Sequence, residues 1–170
     1  GMFYTTLIVD KEELPGSWLT LLEKDAQGNL DIPYYFPVNV TNTFGNSIKP
    51  GDLVDLYMRS YSTSEGGKVI YSKLYGDLKV LAVTDGSGKN VFKSQTNIGT
   101  PSFLNFGLRA EVYQVIKYAE NINGEDIQLV IIPKGGITDN EFHTQNIVEY
   151  NDQLKKFILD KASKMNKVSN

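Results

Sequence analysis

Apolar and polar positions alternate along most of this chain with the period of a strand, and only towards the C-terminus does the period lengthen to that of a helix. Val54, Leu56 and Met58 alternate with Asp55 and Tyr57, which predicts a strand with one buried face and one face towards water. Ahead of it, Lys49-Pro50-Gly51-Asp52 has the residues of a type II turn: proline presets the first central φ and glycine supplies the positive φ that follows. Leu78, Val80, Leu81, Ala82 and Val83 form a nearly all-apolar run that reads as a strand buried on both faces.

The remaining segments fill in around this nucleus. Phe3 to Val9 reads as a strand, closed by Asp10 to Glu13. Leu14 to Gly28 reads either as a short helical turn after Pro15 and Gly16 or as a hairpin turning at Gln27-Gly28-Asn29. Trp18, the single tryptophan, is expected as a partly buried core anchor. Asp31 to Thr41 holds Pro33, Tyr34, Tyr35, Phe36 and Pro37, then Val38 and Val40 in alternation, and prolines in such a pattern indicate an edge strand or bulge. Asn42 to Ser47 is a loop, and Ser60 to Gly67 a hairpin loop. Lys68 begins a strand to Leu74, followed by a turn or bulge at Tyr75-Gly76-Asp77 and a further strand to Thr84. Asp85-Gly86-Ser87-Gly88 signals a tight turn returning the chain through Asn90 to Lys93, and Phe103 to Leu108 is again extended.

Val112, Val115, Ile116, Ala119 and Ile122 then fall at helical spacing, predicting an amphipathic helix over Ala110 to Ile122 that ends at Asn123-Gly124. Ile127 to Ile132 reads as a buried strand stopped by Pro133 and Gly135-Gly136. Thr138 and Glu141 have capping-box spacing, and a second helix is expected from Asn140 to about Lys164, its stripe running through Ile147, Tyr150, Leu154, Phe157 and Ile158. Lys155, Lys156, Lys161, Lys164 and Lys167, against Asp152 and Asp160, make its last turns basic, as suits a helix C-terminus.

The 170 residues, 41% hydrophobic and 22% charged, belong to an ordinary globular chain. A net charge of −3 and a pI near 5.2 put nucleic acid last among expected partners. The absence of cysteine removes disulfides, thiolate metal sites and cysteine nucleophiles together. No apolar run approaches the ~18 residues of a membrane helix. Gly1 ahead of Met2 reads either as the residue a cleaved purification tag leaves or as native sequence within a longer protein, and a truncation is expected because the chain begins directly in the apolar stretch Phe3 to Val9.

Candidate chemistry is thin. His143 is the single histidine, no EF-hand spacing occurs, and the G-x-S-x-G elbow of serine hydrolases is missing. Gly86-Ser87-Gly88-Lys89 lacks the first glycine and the hydroxyl residue of a phosphate loop, so the hairpin reading prevails. Asp52 has a sufficient role in its turn, and Asp55 is expected on the polar face of its strand. Glu12, Glu13, Glu125 and Asp126 read as solvated loop charges. No catalytic residue, metal site or cofactor is therefore expected. Tyr34, Tyr35, Tyr57, Tyr61, Tyr71 and Tyr75 are the candidate binding surface, since tyrosines with packed rings and wet hydroxyls suit protein interfaces and sugar platforms; cross-strand pairing on a solvated sheet face is an equal alternative.

The Pro50-Gly51-Asp52-x-Val54-Asp55 turn and strand, the charged hairpin after it and the strand ending Val80-Leu81-Ala82-Val83 resemble the Flp (Tad-type) pilus assembly protein family called CpaB or RcpC. The strand, helix and apolar strand of Ser102 to Ile132 extend the likeness, which covers about Tyr34 to Pro133. The resemblance implies an α+β fold: a β-rich N-terminal half that includes the end of an SAF-type β-clip, and a β-α-β-α C-terminal portion packed on the sheet. It divides the chain into residues 1–47 as that truncated SAF-like end, 48–137 as an RcpC-like α+β core, and 138–170 as a C-terminal helix and basic tail outside the likeness.

It further implies a non-enzymatic assembly or scaffolding component of a Flp/Tad-type pilus apparatus. Such a component works outside the cytoplasm, held by a membrane anchor not in this sequence, through contacts with other assembly proteins or with itself. SAF-like domains also suggest two alternatives. One is a carbohydrate or cell-wall binding module with solvent-facing Tyr34, Tyr35 or Tyr57 in one groove. The other is a sugar-acid-processing enzyme in which Asp52 or Asp55 approaches Lys73 or Arg109.

Overall fold

The computed structural model describes residues 17–62, 68–92, 98–122, 127–134, 155–156 and 158–160. Among the described residues, six strands in two antiparallel sheets and one complete helix make a β-rich α+β fold. The chain divides into two compact units, each assembled from two separate stretches: Gly1–Asp52 with Lys79–Arg109, and Leu53–Leu78 with Ala110–Asn170. This interleaved division differs from the sequential one at residues 47 and 137.

In the first unit, β1 (Ile32–Pro37), β5 (Phe103–Leu108) and β4 (Ala82–Thr84) form a sheet in the order β1-β5-β4. Tyr35 stands opposite Asn105, and Asn105 opposite Ala82. Among the described strands β1 lies at an edge of the sheet, as its prolines predict. Tyr34 and Phe36 point to the core while Tyr35 and Pro37 are exposed. β1 stops at Pro37, so Val38 and Val40 do not continue it: residues 40–47 turn back on themselves instead. Leu104, Phe106 and Leu108 of the central strand are buried with Val83 and Ala82.

The Leu14 to Gly28 stretch does both things its sequence allows. Ser17–Leu21 is a 3-10 turn that buries Trp18, whose ring meets the Tyr35 ring edge-on at 5.3 Å. A hairpin then turns at residues 25–29, bridged by Lys24 and Leu30. There Asp25 Oδ1 accepts the N–H groups of Gln27 and Asn29 at 2.9 and 2.8 Å. The turn at Asp85 repeats this design: Asp85 Oδ1 accepts the N–H groups of Ser87 and Lys89 at 2.9 and 3.0 Å. In both loops glycine takes the fourth place with positive φ, 86° at Gly28 and 85° at Gly88. An aspartate that bonds its own loop backbone and a glycine free to enter the left-handed region together fix this Asp-x-x-Gly-x turn.

The Lys49–Asp52 turn has Gly51 at φ 94°, as the type II geometry requires. Asp52 closes it twice, donating its N–H to the Lys49 carbonyl at 3.1 Å and accepting the Lys49 N–H on Oδ2 at 2.8 Å. The turn is pinned to Val80, which accepts the Gly51 N–H at 2.7 Å and donates to the Asp52 carbonyl at 2.9 Å.

In the second unit, β2 (Leu53–Ser62) runs between β3 (Lys68–Lys79) and β6 (Ile127–Pro133), in the order β3-β2-β6. β3 is continuous through Tyr75-Gly76-Asp77, with Asp77 at φ 56° marking a local irregularity rather than a strand end. Its expected extension is interrupted at Val80-Leu81, and Ala82–Thr84 belongs to the other sheet. The helix α1 (Ala110–Asn121) buries Val115, Ile116 and Ala119 and packs against β6, as the spacing predicts.

The alternation read along β2 fails. Val54, Asp55, Leu56, Tyr57 and Met58 are all buried, so both faces of the strand are covered, the Asp55 and Tyr57 positions with the help of Lys73 and Lys134. Of the second predicted helix, residues 155–156 and 158–160 are helical, and Ile158 is buried. The Phe3 to Val9 strand, the Thr138 and Glu141 capping box, Gly135-Gly136, His143, Ile147, Tyr150, Asp152, Leu154, Phe157, Lys161, Lys164 and Lys167 lie outside the described residues. So do Glu12, Glu13, Asn123, Gly124, Glu125, Asp126, Lys93 and the tip of the Ser60 to Gly67 loop.

Candidate functional site

The first unit contains a cleft of about 400 Å³ whose walls are Trp18, Leu21, Pro50, Leu81, Ala82 and Phe92. That volume suits a ligand group or an inserted side chain, given pockets of ~300–1,000 Å³ for small molecules. Three of the local structures described above create it: the 3-10 turn supplies Trp18 and Leu21, the type II turn supplies Pro50, and the passage into β4 supplies Leu81 and Ala82.

Ser17, Thr20, Thr84 and Asn90 add polar atoms to the lining. The Thr20 hydroxyl is spent locally, donating to the Ser17 carbonyl at 3.0 Å. Thr84 Oγ1 accepts the buried Asn105 amide at 2.9 Å, which leaves the hydroxyl hydrogen able to donate. Asn90 Oδ1 accepts the Phe92 N–H at 3.2 Å, leaving its amide hydrogens for an occupant. No charged residue is among the described residues that line the cleft. Such a lining suits neutral groups better than ions.

Charge gathers elsewhere, in the second unit. Asp55, 2% exposed, holds Lys73 Nζ at 3.1 Å from Oδ2 and accepts the Asp77 N–H on Oδ1 at 2.9 Å. Lys134 Nζ lies 3.8 Å from the same Oδ1 and 2.9 Å from Asp77 Oδ1. A Cβ at Gly76 would come within 3.3 Å of Asp55 Oδ1, so the backbone approaches the carboxylate closely. Thus Asp55 does not occupy a wet strand face. It anchors β3 and the end of β6 to the central strand, and its oxygens are committed to that task.

Of the acid and base groups weighed for an enzyme, Asp55 does meet Lys73, while Asp52 stays within its own turn and Arg109 pairs with Asp31 at 3.2 Å. Among the described residues no three His, Asp or Glu side chains are placed to share a metal ion. No helix among them is long and apolar enough to cross a membrane.

The candidate tyrosines differ in exposure. Tyr34 and Tyr57 are each 4% exposed and belong to the two cores, Tyr34 tilted against Phe106 at 6.5 Å and Tyr57 beneath Lys73. Tyr35 is exposed on the outer face of β1, its ring flanked edge-on by Trp18 and Phe103. Tyr71 is exposed. Tyr75 is half-buried under the Lys155 ammonium, 4.3 Å from its ring centre. Burial, with a smaller push from Glu111, raises its hydroxyl from the usual 10.0 to about 12. The Tyr61 side chain lies outside the described residues. Of the three tyrosines named for a sugar groove, Tyr34 and Tyr57 are thus buried and Tyr35 is exposed.

Sequence reasoning did not find the cleft, whose walls come from separate turns and carry no motif. Compared with family models, with curated proteins and with solved structures, the chain matches none.

Proposed function

We propose that this protein acts by binding other proteins, as a non-enzymatic assembly or scaffolding component of a Flp/Tad-type pilus apparatus, in contacts made outside the membrane. The cleft at Trp18 and Phe92 is the observation that carries the binding part of this reading: it offers an apolar socket with an uncharged hydrogen-bonding side, the kind of site that takes a side chain of a partner. The commitment of Asp55 and Lys73 to internal bonds supports it further, since the most buried pairing of acid and base here is engaged in holding strands together. The pilus setting comes from the resemblance around Pro50-Gly51-Asp52 and Val80 to Val83.

Deleting the gene in its own host and imaging surface fibres by electron microscopy tests the proposal. Fibres should be lost, restored by a wild-type copy and restored poorly by a Leu21→Lys copy, which places a charge at the cleft wall. Undiminished fibres in the deletion strain would overturn the pilus assignment.

A further inference from the structure

The Asp77 N–H reaches Asp55 Oδ1 at 2.9 Å through a bend in the backbone of β3. Asp77 takes φ 56°, in the left-handed region that a residue with a Cβ enters at a cost. Gly76, just before it, has no Cβ, and an added one would stand 3.3 Å from that same oxygen. Two neighbouring residues are thus shaped to bring a main-chain donor onto one oxygen of a carboxylate whose other oxygen Lys73 already meets. Backbone strain kept at such a place points to a task for the group it serves.

The outcome is a carboxyl carbon set up for attack. Lys73 Nζ lies 3.1 Å from Asp55 Oδ2, within a small side-chain adjustment of the carbon that carries this oxygen. Oδ1 is where negative charge grows when a nucleophile adds to that carbon. It faces the Asp77 N–H and, at 3.8 Å, the Lys134 ammonium. Fixed donors aimed at such an oxygen lower the barrier of acyl transfer. Water is held off, with the Asp55 and Lys73 side chains 3% and 13% exposed and the Tyr57 ring centre 5.9 Å from the amine. Excluding water removes the reactant that would reverse an amide-forming step.

We propose that Lys73 and Asp55 condense with each other into an isopeptide bond that staples β2 to β3. The ion pair is the state before this reaction. One proton passes from the Lys73 ammonium to Oδ2, leaving a neutral amine beside a neutral acid, forms that a dry interior tolerates better than ions. Nζ then adds to the carboxyl carbon while Oδ1 carries the charge under the Asp77 N–H and Lys134. Oδ2 takes a second lysine proton and departs as water; the C–N bond replaces the C–Oδ2 bond, and one hydrogen stays on the amide nitrogen. The step is redox-neutral and needs no co-reactant. All of these groups lie in one compact unit, on strands that are hydrogen-bonded neighbours or at their ends. A chain without cysteine has no disulfide to restrain it, and a cross-link between two other side chains restricts the unfolded chain in the same manner.

Intact-mass spectrometry of the purified chain under denaturing conditions tests the proposal. The wild type should weigh one water less than its sequence, and a proteolytic digest should contain a branched peptide joining the segments around Asp55 and Lys73. Lys73→Arg keeps a cation beside Asp55 but supplies no amine nucleophile, so it should show the full sequence mass with circular dichroism unchanged. Followed from cell-free synthesis, Lys134→Met should lose water more slowly, by about tenfold or more, a rate that a merely structural lysine would not set. A wild type at its full sequence mass would overturn the proposal. So would a loss of water that persists in Lys73→Arg, or one that the digest places within a single unbranched peptide, as an aspartyl imide would.

Discussion

Lys73 Nζ lies 3.1 Å from Asp55 Oδ2, with both side chains shielded from water. Taking two charges out of solvent is costly, and their attraction offsets that cost only while both are present. Asp55→Ala strands the lysine and also removes the acceptor of the Asp77 N–H. It should destabilise the protein by about 3–5 kcal/mol in urea unfolding. Asp55→Asn keeps an acceptor for that N–H and should cost less. A double-mutant cycle with Lys73→Met should give a strongly non-additive result; simple additivity would show that the pair is not coupled.

The Gly51 backbone, at φ 94°, leaves nothing within 4 Å of an added Cβ. Only the conformational penalty acts there, so Gly51→Ala should cost about 1–2 kcal/mol and Gly51→Asn less, since asparagine enters the left-handed region more readily. Gly107 has the opposite reason for being glycine: a Cβ would lie 2.9 Å from Leu22 Cδ2 and 3.3 Å from Leu81 Cδ1. Gly107→Ala should disturb the side chains of Leu22 and Leu81, visible as methyl shifts in NMR, whereas Gly51→Ala should leave distant methyls in place.

Hydrogen bonds from the Asn29 backbone, followed by its side chain and the Gln27 N–H, hold the Asp25 carboxyl below its usual value of 3.8. With the folded value depressed, the stabilising effect of the ionised form is complete above the unfolded value. It fades as pH falls below about 4 and through the folded value. An NMR titration of the Asp25 carboxyl should give a midpoint below 3.8, and Asp25→Asn should remove this contribution to acid sensitivity. A midpoint at or above the ordinary aspartate value would refute the loop geometry.

Tyr75 responds to pH in the opposite sense. Its folded value of about 12 exceeds the unfolded 10.0, chiefly through burial. The stability it contributes is therefore full below about pH 10 and is lost between 10 and 12 as the unfolded chain deprotonates first. Ultraviolet titration of the phenolates should show a late-titrating tyrosine that disappears in Tyr75→Phe. Glu111→Gln should shift it only slightly, because the carboxylate is the lesser cause.

How much of this was legible depends on how local each signal is. The helix from Ala110, the stop at Pro133, the Asp85 hairpin and the Gly51 turn each follow from neighbouring residues, and the structure places them where the spacing does. Asp55 and Tyr57 were misread because alternation describes a strand with one covered face, while in β2 the Lys73 and Lys134 side chains also close over the Asp55 and Tyr57 positions. Tyr34 and Tyr35 are adjacent and chemically identical, and only the pairing of β1 with β5 decides which ring is inside. The break at Val80-Leu81 is hidden in an unbroken apolar run, since a change of sheet alters partners without altering composition. The cleft was illegible for a similar reason: its walls meet through folding, and no single segment contains its pattern.

Pro33 and Pro37 sit on the outermost strand of the first sheet, two residues to either side of Tyr35. Backbone amides at alternate positions face the same way along a strand, and proline has no hydrogen to offer. Two of the three donors in that row are thus missing, which blunts this border, the outer one among the described strands, against lengthening by a foreign strand. Whatever this molecule holds on to there must be gripped through side chains, which makes recognition a matter of shape and keeps accidental fibril growth in check.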